Sequence, residues 1–292
     1  MPTLRQTWDE TAAALAAAGI DQARSEASWL LEHVLKTDRT RLLCRLEEAL
    51  PADAAKELDA RRRRRVAGEP LQYILGTAPF CDFELETGPG VLIPRPETET
   101  LVELAQAAYG ATGGAGPVLD LCTGSGAVAL ALARSLPPET PVYATDLSAA
   151  ALTWARRNRA RLGLEKRTIL LEGDLFAPLP PGLRFRVITA NPPYIPAAEY
   201  AALPPEVREF EPKLALEAGA DGLDVLRRIA EAAPARLLSG GWLLCEIDSP
   251  QAAAVTALFQ ENGLEEAAVH PDRFGRARIA TARKPASPTP AK

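Results

Sequence analysis

A buried strand that runs into a glycine turn and straight out into a helix leaves a chain few ways to fold. Pro117-Val118-Leu119-Asp120-Leu121 is a short apolar run, Cys122-Thr123-Gly124-Ser125-Gly126 a tight loop, and Ala127 to Ser135 a helical stretch. Glycines there let backbone approach a ligand closely, with a helix N-terminus nearby. Pro141 to Thr145 reads as a second strand and ends at Asp146, twenty positions after Gly126. A carboxylate at that place can accept both hydroxyls of a ribose. Gly124, Gly126 and Ala129 also satisfy the spacing G-x-G-x-x-A of a dinucleotide site. Asp120 argues for a different ligand. An acidic side chain at the end of the first strand repels a pyrophosphate and welcomes the ammonium of an amino acid, as in S-adenosylmethionine. The plainer alternative for Asp120 is a carboxylate that only caps the loop.

Helices and strands alternate on either side of this unit. A helix is expected over Ala149 to Leu162 and a strand over Thr168 to Leu171, followed by Asp174 and Leu175, which suit the adenine amino group and the adenine face. Phe185 to Ala190 is another buried strand, Asp221 to Leu238 a helix, Trp242 to Ile247 a strand, and Pro250 to Asn262 a helix. Leu264 to His270 and Ala277 to Ala282 read as a closing strand pair. Such alternation predicts an α/β fold with a doubly wound, parallel sheet.

The strand ending at Ala190 delivers Asn191-Pro192-Pro193-Tyr194. The prolines stop the ladder and stiffen the backbone. Ligands of open α/β sheets sit at such strand ends. Methyl transfer to a planar nitrogen suits these residues. The lone pair of an amide or exocyclic amino nitrogen is delocalised, and two acceptors on its N–H groups can hold it in a more nucleophilic geometry. The Asn191 side-chain oxygen and the Pro192 carbonyl are candidate acceptors, and the Tyr194 ring can stack on the planar group. Catalysis would then be positioning and electrostatics. The plainer alternative is an Asn-Pro turn.

Residues 1–72 read as four or five short helices, a small bundle: Leu4 to Ala18, a second helix capped by Asp21, Arg39 to Leu50, and one opened by Pro51 that runs through Leu58. Arg61 to Arg65 is the one charge run, and it reads as a solvated helix end rather than a contact for an acidic partner. Tyr73 to Leu92 turns strand-like, and a hairpin linker is expected over 73–93. Ile93-Pro94-Arg95-Pro96-Glu97-Thr98-Glu99 presents Arg95 from a stiff turn, either a wall of the substrate pocket or a domain-entry turn. Ala111 to Gly116 reads as a flexible joint, Tyr200 to Pro212 as an acidic loop that covers the site, and 285–292 as a disordered tail. The large domain is expected over 94–284.

Composition narrows the function classes. A net charge of −5 argues against a surface devoted to nucleic acid. Four cysteines without close pairing and only two histidines leave no zinc site in view and suit reduced thiols in the cytoplasm. Neither a signal peptide nor a membrane span is expected.

The chain resembles the release-factor glutamine N5-methyltransferases of the PrmC/HemK type along nearly its whole length. The resemblance is carried by Gly68-Glu69-Pro70-Leu71-Gln72-Tyr73-Ile74, by residues 92–99, by Asp120 to Gly126, by Asn191 to Tyr194, by Val207-Arg208 with Phe210-Glu211-Pro212, and by Asp272 with Gly275-Arg276. The segment containing Arg95, together with the helical N-terminal domain, is its specific part. The resemblance implies a class I methyltransferase with a seven-stranded sheet. It implies transfer from S-adenosylmethionine, leaving S-adenosylhomocysteine, to the glutamine of the Gly-Gly-Gln motif in class-one peptide-chain release factors. By that resemblance Cys122, Thr123, Gly124, Ser125, Gly126, Asp146 and Leu175 hold the cofactor, to which the reading of the strand ends above adds Asp120 and Asp174. Asn191 touches cofactor and substrate, and Pro192, Pro193 and Tyr194 complete the glutamine pocket, with Arg95 the candidate wall read from its stiff turn. The N-terminal domain docks the release factor, and the enzyme is a monomer without stably bound nucleic acid. Two positions depart from the family. Cys122 stands where Gly is usual, and Asp248-Ser249-Pro250-Gln251 follows Glu246-Ile247 where Gly is usual. The competing readings are an amino methyltransferase of DNA or rRNA bases, a non-catalytic adaptor, and a dinucleotide oxidoreductase.

Overall fold

The computed structural model describes residues 1–113 and 115–286. The chain forms two compact units, Met1–Thr77 with Pro204–Phe210, and Ala78–Leu203 with Glu211–Lys292. The terminal part of the expected tail, from residue 287, and Gly114 of the expected joint lie outside the described residues.

The first unit is built from α1 (Leu4–Ala17), α2 (Ala23–Leu35), α3 (Arg39–Cys44), α4 (Ala52–Val66) and α5 (Leu71–Leu75). Thr3 and Gln6 close a reciprocal capping box at the start of α1. Its core is Leu4, Trp8, Leu15, Leu30, Leu31, Leu42 and their neighbours. Several sequence expectations need correcting. Asp21 is not the cap of α2; Gln22 holds that position without a side-chain bond. Turns replace the helix after Cys44, and α4 runs on past Leu58 to Val66. Tyr73 to Leu75 is helical, because Pro70 opens a short helix that Gly76 closes in the left-handed conformation.

The arginine run is not simply a solvated helix end. Arg65 is buried, with Nε 2.6 Å from Glu26 and Nη1 2.9 Å from Glu206. Glu206 belongs to the segment that returns from residue 204, expected as part of an acidic loop covering the site, which carries the short helix Pro205–Phe210. Removing one partner of a buried pair costs about 3–5 kcal/mol, because it strands the other charge.

The second unit opens with a hairpin, β1 (Thr77–Phe80) and β2 (Phe83–Glu86), narrower than the linker expected from the sequence. A 3₁₀ turn at Pro96–Thr98 leads into α6 (Glu99–Ala111). Then come β3 (Val118–Leu121), α7 (Ala127–Ser135), β4 (Val142–Asp146), α8 (Ala149–Arg161), β5 (Thr168–Glu172) and β6 (Phe185–Ala190). After α9 (Ala197–Tyr200), and after α10 (Pro205–Phe210) of the first unit, come α11 (Asp224–Arg236), β7 (Leu237–Glu246), α12 (Ala252–Glu261), β8 (Glu265–Pro271) and β9 (Ala277–Arg283). The seven strands lie in the order β5-β4-β3-β6-β7-β9-β8. All the pairings from β5 to β7 are parallel, while β9 runs antiparallel to β7 and β8. Strands covered on both faces read as continuous apolar runs. That is why β3 and β6 were legible, and their side chains are almost all buried.

Two hydrophobic clusters fill the second unit, one around α11, α12 and β6, the other around α6 and α7. The strand order reverses at β3, whose neighbours are β4 and β6. Ligands of open α/β sheets bind at such a switch point. The C-terminal ends of β3, β4 and β6 are Leu121, Asp146 and Ala190, so the glycine loop, Asp146 and the Asn-Pro-Pro-Tyr tetrad meet there.

Candidate active site

The glycine loop is held from three sides. Asp120 is buried at the end of β3; its Oδ2 accepts the Thr123 hydroxyl at 2.6 Å and its Oδ1 the Thr189 hydroxyl at 2.8 Å. Burial pushes this carboxyl up to about 7, against the pull of those two hydroxyls. Asp146 accepts the Gly124 N–H at 2.7 Å and the Ser148 N–H at 2.8 Å, one on each oxygen. Burial raises its pKa as well. From behind, the buried Asn158 of α8 donates to the Ser125 carbonyl and to the Glu86 carbonyl, both at 3.0 Å, and accepts the Glu86 N–H at 2.6 Å. Asn158 thereby ties the hairpin to the loop, and no motif in the sequence marks it.

Cys122 adopts φ +55°, a conformation in which a residue without Cβ is unstrained. Its half-buried side chain packs against the larger core cluster and also reaches the cleft. Burial, then the carboxylates of Asp146 and Asp120, push its thiol well up, which keeps it protonated and unreactive.

The cleft is lined by Arg95, Asp120, Cys122, Thr123, Gly124, Ser125, Asp146, Asp174, Leu175, Asn191 and Pro193 among the residues singled out from the sequence. Its empty space, open solvent at the mouth included, is about 1130 Å³. Gly126, Pro192 and Tyr194 are not part of the lining. Gly126 instead caps α7 at φ +86°. Asp174 reaches the cleft already paired with Arg228. Arg95 pairs with the buried Glu211, whose other oxygen accepts the Ile93 N–H at 3.1 Å.

At the tetrad the structure adds residues that sequence reading passed over. Asn191 Nδ2 donates to Thr98 Oγ1 at 3.2 Å, and that hydroxyl donates to Glu246 Oε2 at 2.6 Å. The Tyr194 hydroxyl faces the other oxygen of Glu246 at 3.4 Å. Gln251 Nε2 donates to the Tyr194 carbonyl at 2.9 Å, and its Oε1 accepts the Asp248 N–H at 3.0 Å. The departure at residues 248–251 thus builds a capping box that grips the tetrad backbone. Gly222 must lack a side chain here, since a Cβ would stand 2.2 Å from the Tyr194 carbonyl oxygen.

Among the described residues no group of three or more His, Cys, Asp or Glu side chains is placed to hold a metal, and no helix is long and apolar enough to cross a membrane.

The PrmC N-terminal domain profile matches residues 6–76, and a methyltransferase domain profile matches residues 118–210. The release factor glutamine methyltransferase of Geobacter sulfurreducens is 43% identical over 282 residues, covering 95% of each chain. That of Cereibacter sphaeroides is 45% identical over 273 residues, covering 94% of this chain and 95% of the other. The chain belongs to the release factor glutamine methyltransferase family. In fold the family member resembles a 16S rRNA N2 G1207 methyltransferase of T. thermophilus in complex with AdoMet and guanosine: TM-score 0.51, 22% identity, 71% of this chain and 49% of the other covered. The expectations of a class I methyltransferase fold and of membership in this family are met.

Proposed function

We propose that this chain methylates the side-chain amide nitrogen of the glutamine in the Gly-Gly-Gln motif of class-one release factors, using S-adenosylmethionine. The observation that carries this reading is Asn191 at the lip of a cleft whose other side is the glycine loop and Asp146. Its residues fit the cofactor. Each Asp146 oxygen makes one loop bond and keeps acceptor capacity for a ribose hydroxyl. Asp120 offers a buried carboxylate to an ammonium group, and Leu175 an apolar wall. Cys122, Thr123, Gly124 and Ser125 shape the loop around it.

S-adenosylmethionine supplies an electrophilic methyl group on a sulfonium. The protein's part is to hold the glutamine amide in line with it. Asn191 Oδ1 accepts one amide N–H and Pro193 walls the cleft, while the Pro192 carbonyl, for the second N–H, and the Tyr194 ring would have to be met beside the cleft, outside its lining. Arg95, tied to Glu211, stiffens the facing wall. The amide nitrogen sheds one proton after accepting the methyl, so no strong base has to act first. Positioning and preorganised dipoles carry the rate.

On this reading the N-terminal unit docks the release factor, and the enzyme works as a monomer in the cytoplasm without stably bound nucleic acid. The net charge of −5 supports a protein substrate over a nucleic acid. The test is label transfer from S-adenosylmethionine to a purified class-one release factor, DNA and rRNA in parallel. Label on the release factor supports the reading. Label on nucleic acid alone overturns it in favour of a base-amino methyltransferase.

A further inference from the structure

We propose that Glu246 and Thr98 are positioning residues that decide which end of the Asn191 carboxamide faces the cleft. This inference rests on the functional reading above, in which Asn191 must offer an acceptor.

Hydrogen-bond polarity fixes the orientation. An ionised carboxylate can only accept. Thr98 Oγ1, 2.6 Å from Glu246 Oε2, must therefore spend its single proton on Glu246. That leaves Oγ1 able only to accept, and its other neighbour is the Asn191 side chain at 3.2 Å. The carboxamide must turn its NH₂ toward Thr98, and Oδ1 is left for the cleft. Tyr194 completes the arrangement by donating to the second oxygen of Glu246. Thr98 and Glu246 are both buried, so water does not compete for these bonds.

Protonation reverses the wiring. A neutral Glu246 can donate to Thr98 Oγ1, which frees the Thr98 proton to meet Asn191. The carboxamide then gains by flipping, and its NH₂, which cannot accept an amide N–H, turns to the cleft. The groups facing Glu246 are the Tyr194 hydroxyl, the Thr98 hydroxyl, the Arg278 guanidinium and the Glu97 carboxylate. Arg278 is itself shared with Asp248 and Asp272. Burial outweighs Arg278 and brings the Glu246 carboxyl up to about 7, within the range where an enzyme works.

The experiment compares wild type with Glu246→Gln, Thr98→Val and Thr98→Ser. It reads kcat at saturating cofactor and release factor across the pH range, and cofactor affinity by calorimetry. Expected for wild type is a kcat that falls on the acid side with a midpoint near 7. Glu246→Gln should lose that acid limb and run about 10–100-fold slower throughout, with cofactor affinity unchanged, as misorientation of one positioning group does. Thr98→Val should match it, and Thr98→Ser, which keeps the hydroxyl, should restore the wild-type profile. Glu246→Gln with an intact acid limb, or Thr98→Val with wild-type kcat, overturns the proposal. A second readout needs neither turnover nor a stable variant. The Asn191 side-chain amide signal of ¹⁵N-labelled wild type, assigned by its loss in Asn191→Ala, should titrate with the same midpoint. A signal that stays flat over that range overturns the wiring. If the wild type transfers no methyl to release factor while this signal titrates, the functional reading fails and the wiring stands.

Discussion

Asp146 and Gly124, at the tips of neighbouring strand and loop, are joined by a 2.7 Å hydrogen bond from the glycine N–H to Oδ2. The same carboxylate braces the start of α8 through the Ser148 N–H. Asp146→Ala should therefore do two things: remove an acceptor for the ribose and release the loop. Hydrogen bonds to a charged group are worth about 1.5–3 kcal/mol each, so the dissociation constant for S-adenosylmethionine should rise at least about tenfold. Titration calorimetry checks it, and an unchanged affinity would remove Asp146 from the cofactor site.

Asn191→Ala should act on the rate and spare the cofactor. It deletes the acceptor that meets the substrate amide, and loss of one preorganised polar group in an active site costs about 10²–10³ in kcat. Binding of S-adenosylmethionine should change little, because Asp146, Asp120 and the glycine loop remain. Near wild-type turnover in this variant would sink the mechanism.

Asp120 makes the ligand-free protein sensitive to pH in a defined direction. Its folded pKa of about 7 lies above the ordinary carboxyl value, and Glu246 behaves alike. The folded state thus binds more protons than the unfolded state between the two values. Stability is then lost as pH rises from about 4 toward 7. Urea melts at acid and neutral pH should show these losses, and Asp120→Asn should flatten the dependence. An ammonium group beside Asp120 favours its ionised form, so cofactor binding near neutrality should release a proton. Calorimetry in buffers of different ionisation enthalpy measures that release; none would mean that Asp120 only caps the loop.

Gly222→Ala should damage the tetrad from outside the cleft. A Cβ there meets the Tyr194 carbonyl oxygen at 2.2 Å and Gln251 Nε2 at 2.7 Å, and φ is +75°. Overpacking of this kind costs about 1–3 kcal/mol. Thermal melts should fall, and kcat should fall further than cofactor affinity, since the strain lands on the tetrad. A stable variant with normal kcat would show that the backbone of Tyr194 need not be held there.

What the sequence made legible was whatever is local. The buried runs at β3 and β6, the glycine loop and the prolines after Asn191 announce themselves by composition and spacing. Glu246, Thr98, Asn158 and Gln251 act across separations of 29 to 148 residues, the spans from Gln251 back to Gly222 and from Glu246 back to Thr98. No spacing rule brings such pairs together; only the sheet order does. Residues 200–212 misled for a related reason: prolines and acids read as a loop over the site, yet residues 205–210 are helical and Glu206 has a buried arginine as partner. At Cys122 a side chain occupies a backbone conformation that favours glycine, and only φ reveals it.

The central claim is that Asn191 presents a release-factor glutamine for methylation. Its most direct test is mass spectrometry of the Gly-Gly-Gln peptide after incubating purified release factor, S-adenosylmethionine and this enzyme. The account predicts one methyl group on the glutamine side-chain amide with wild type and none with Asn191→Ala. A methyl group on another residue, or an equal yield from Asn191→Ala, would contradict it.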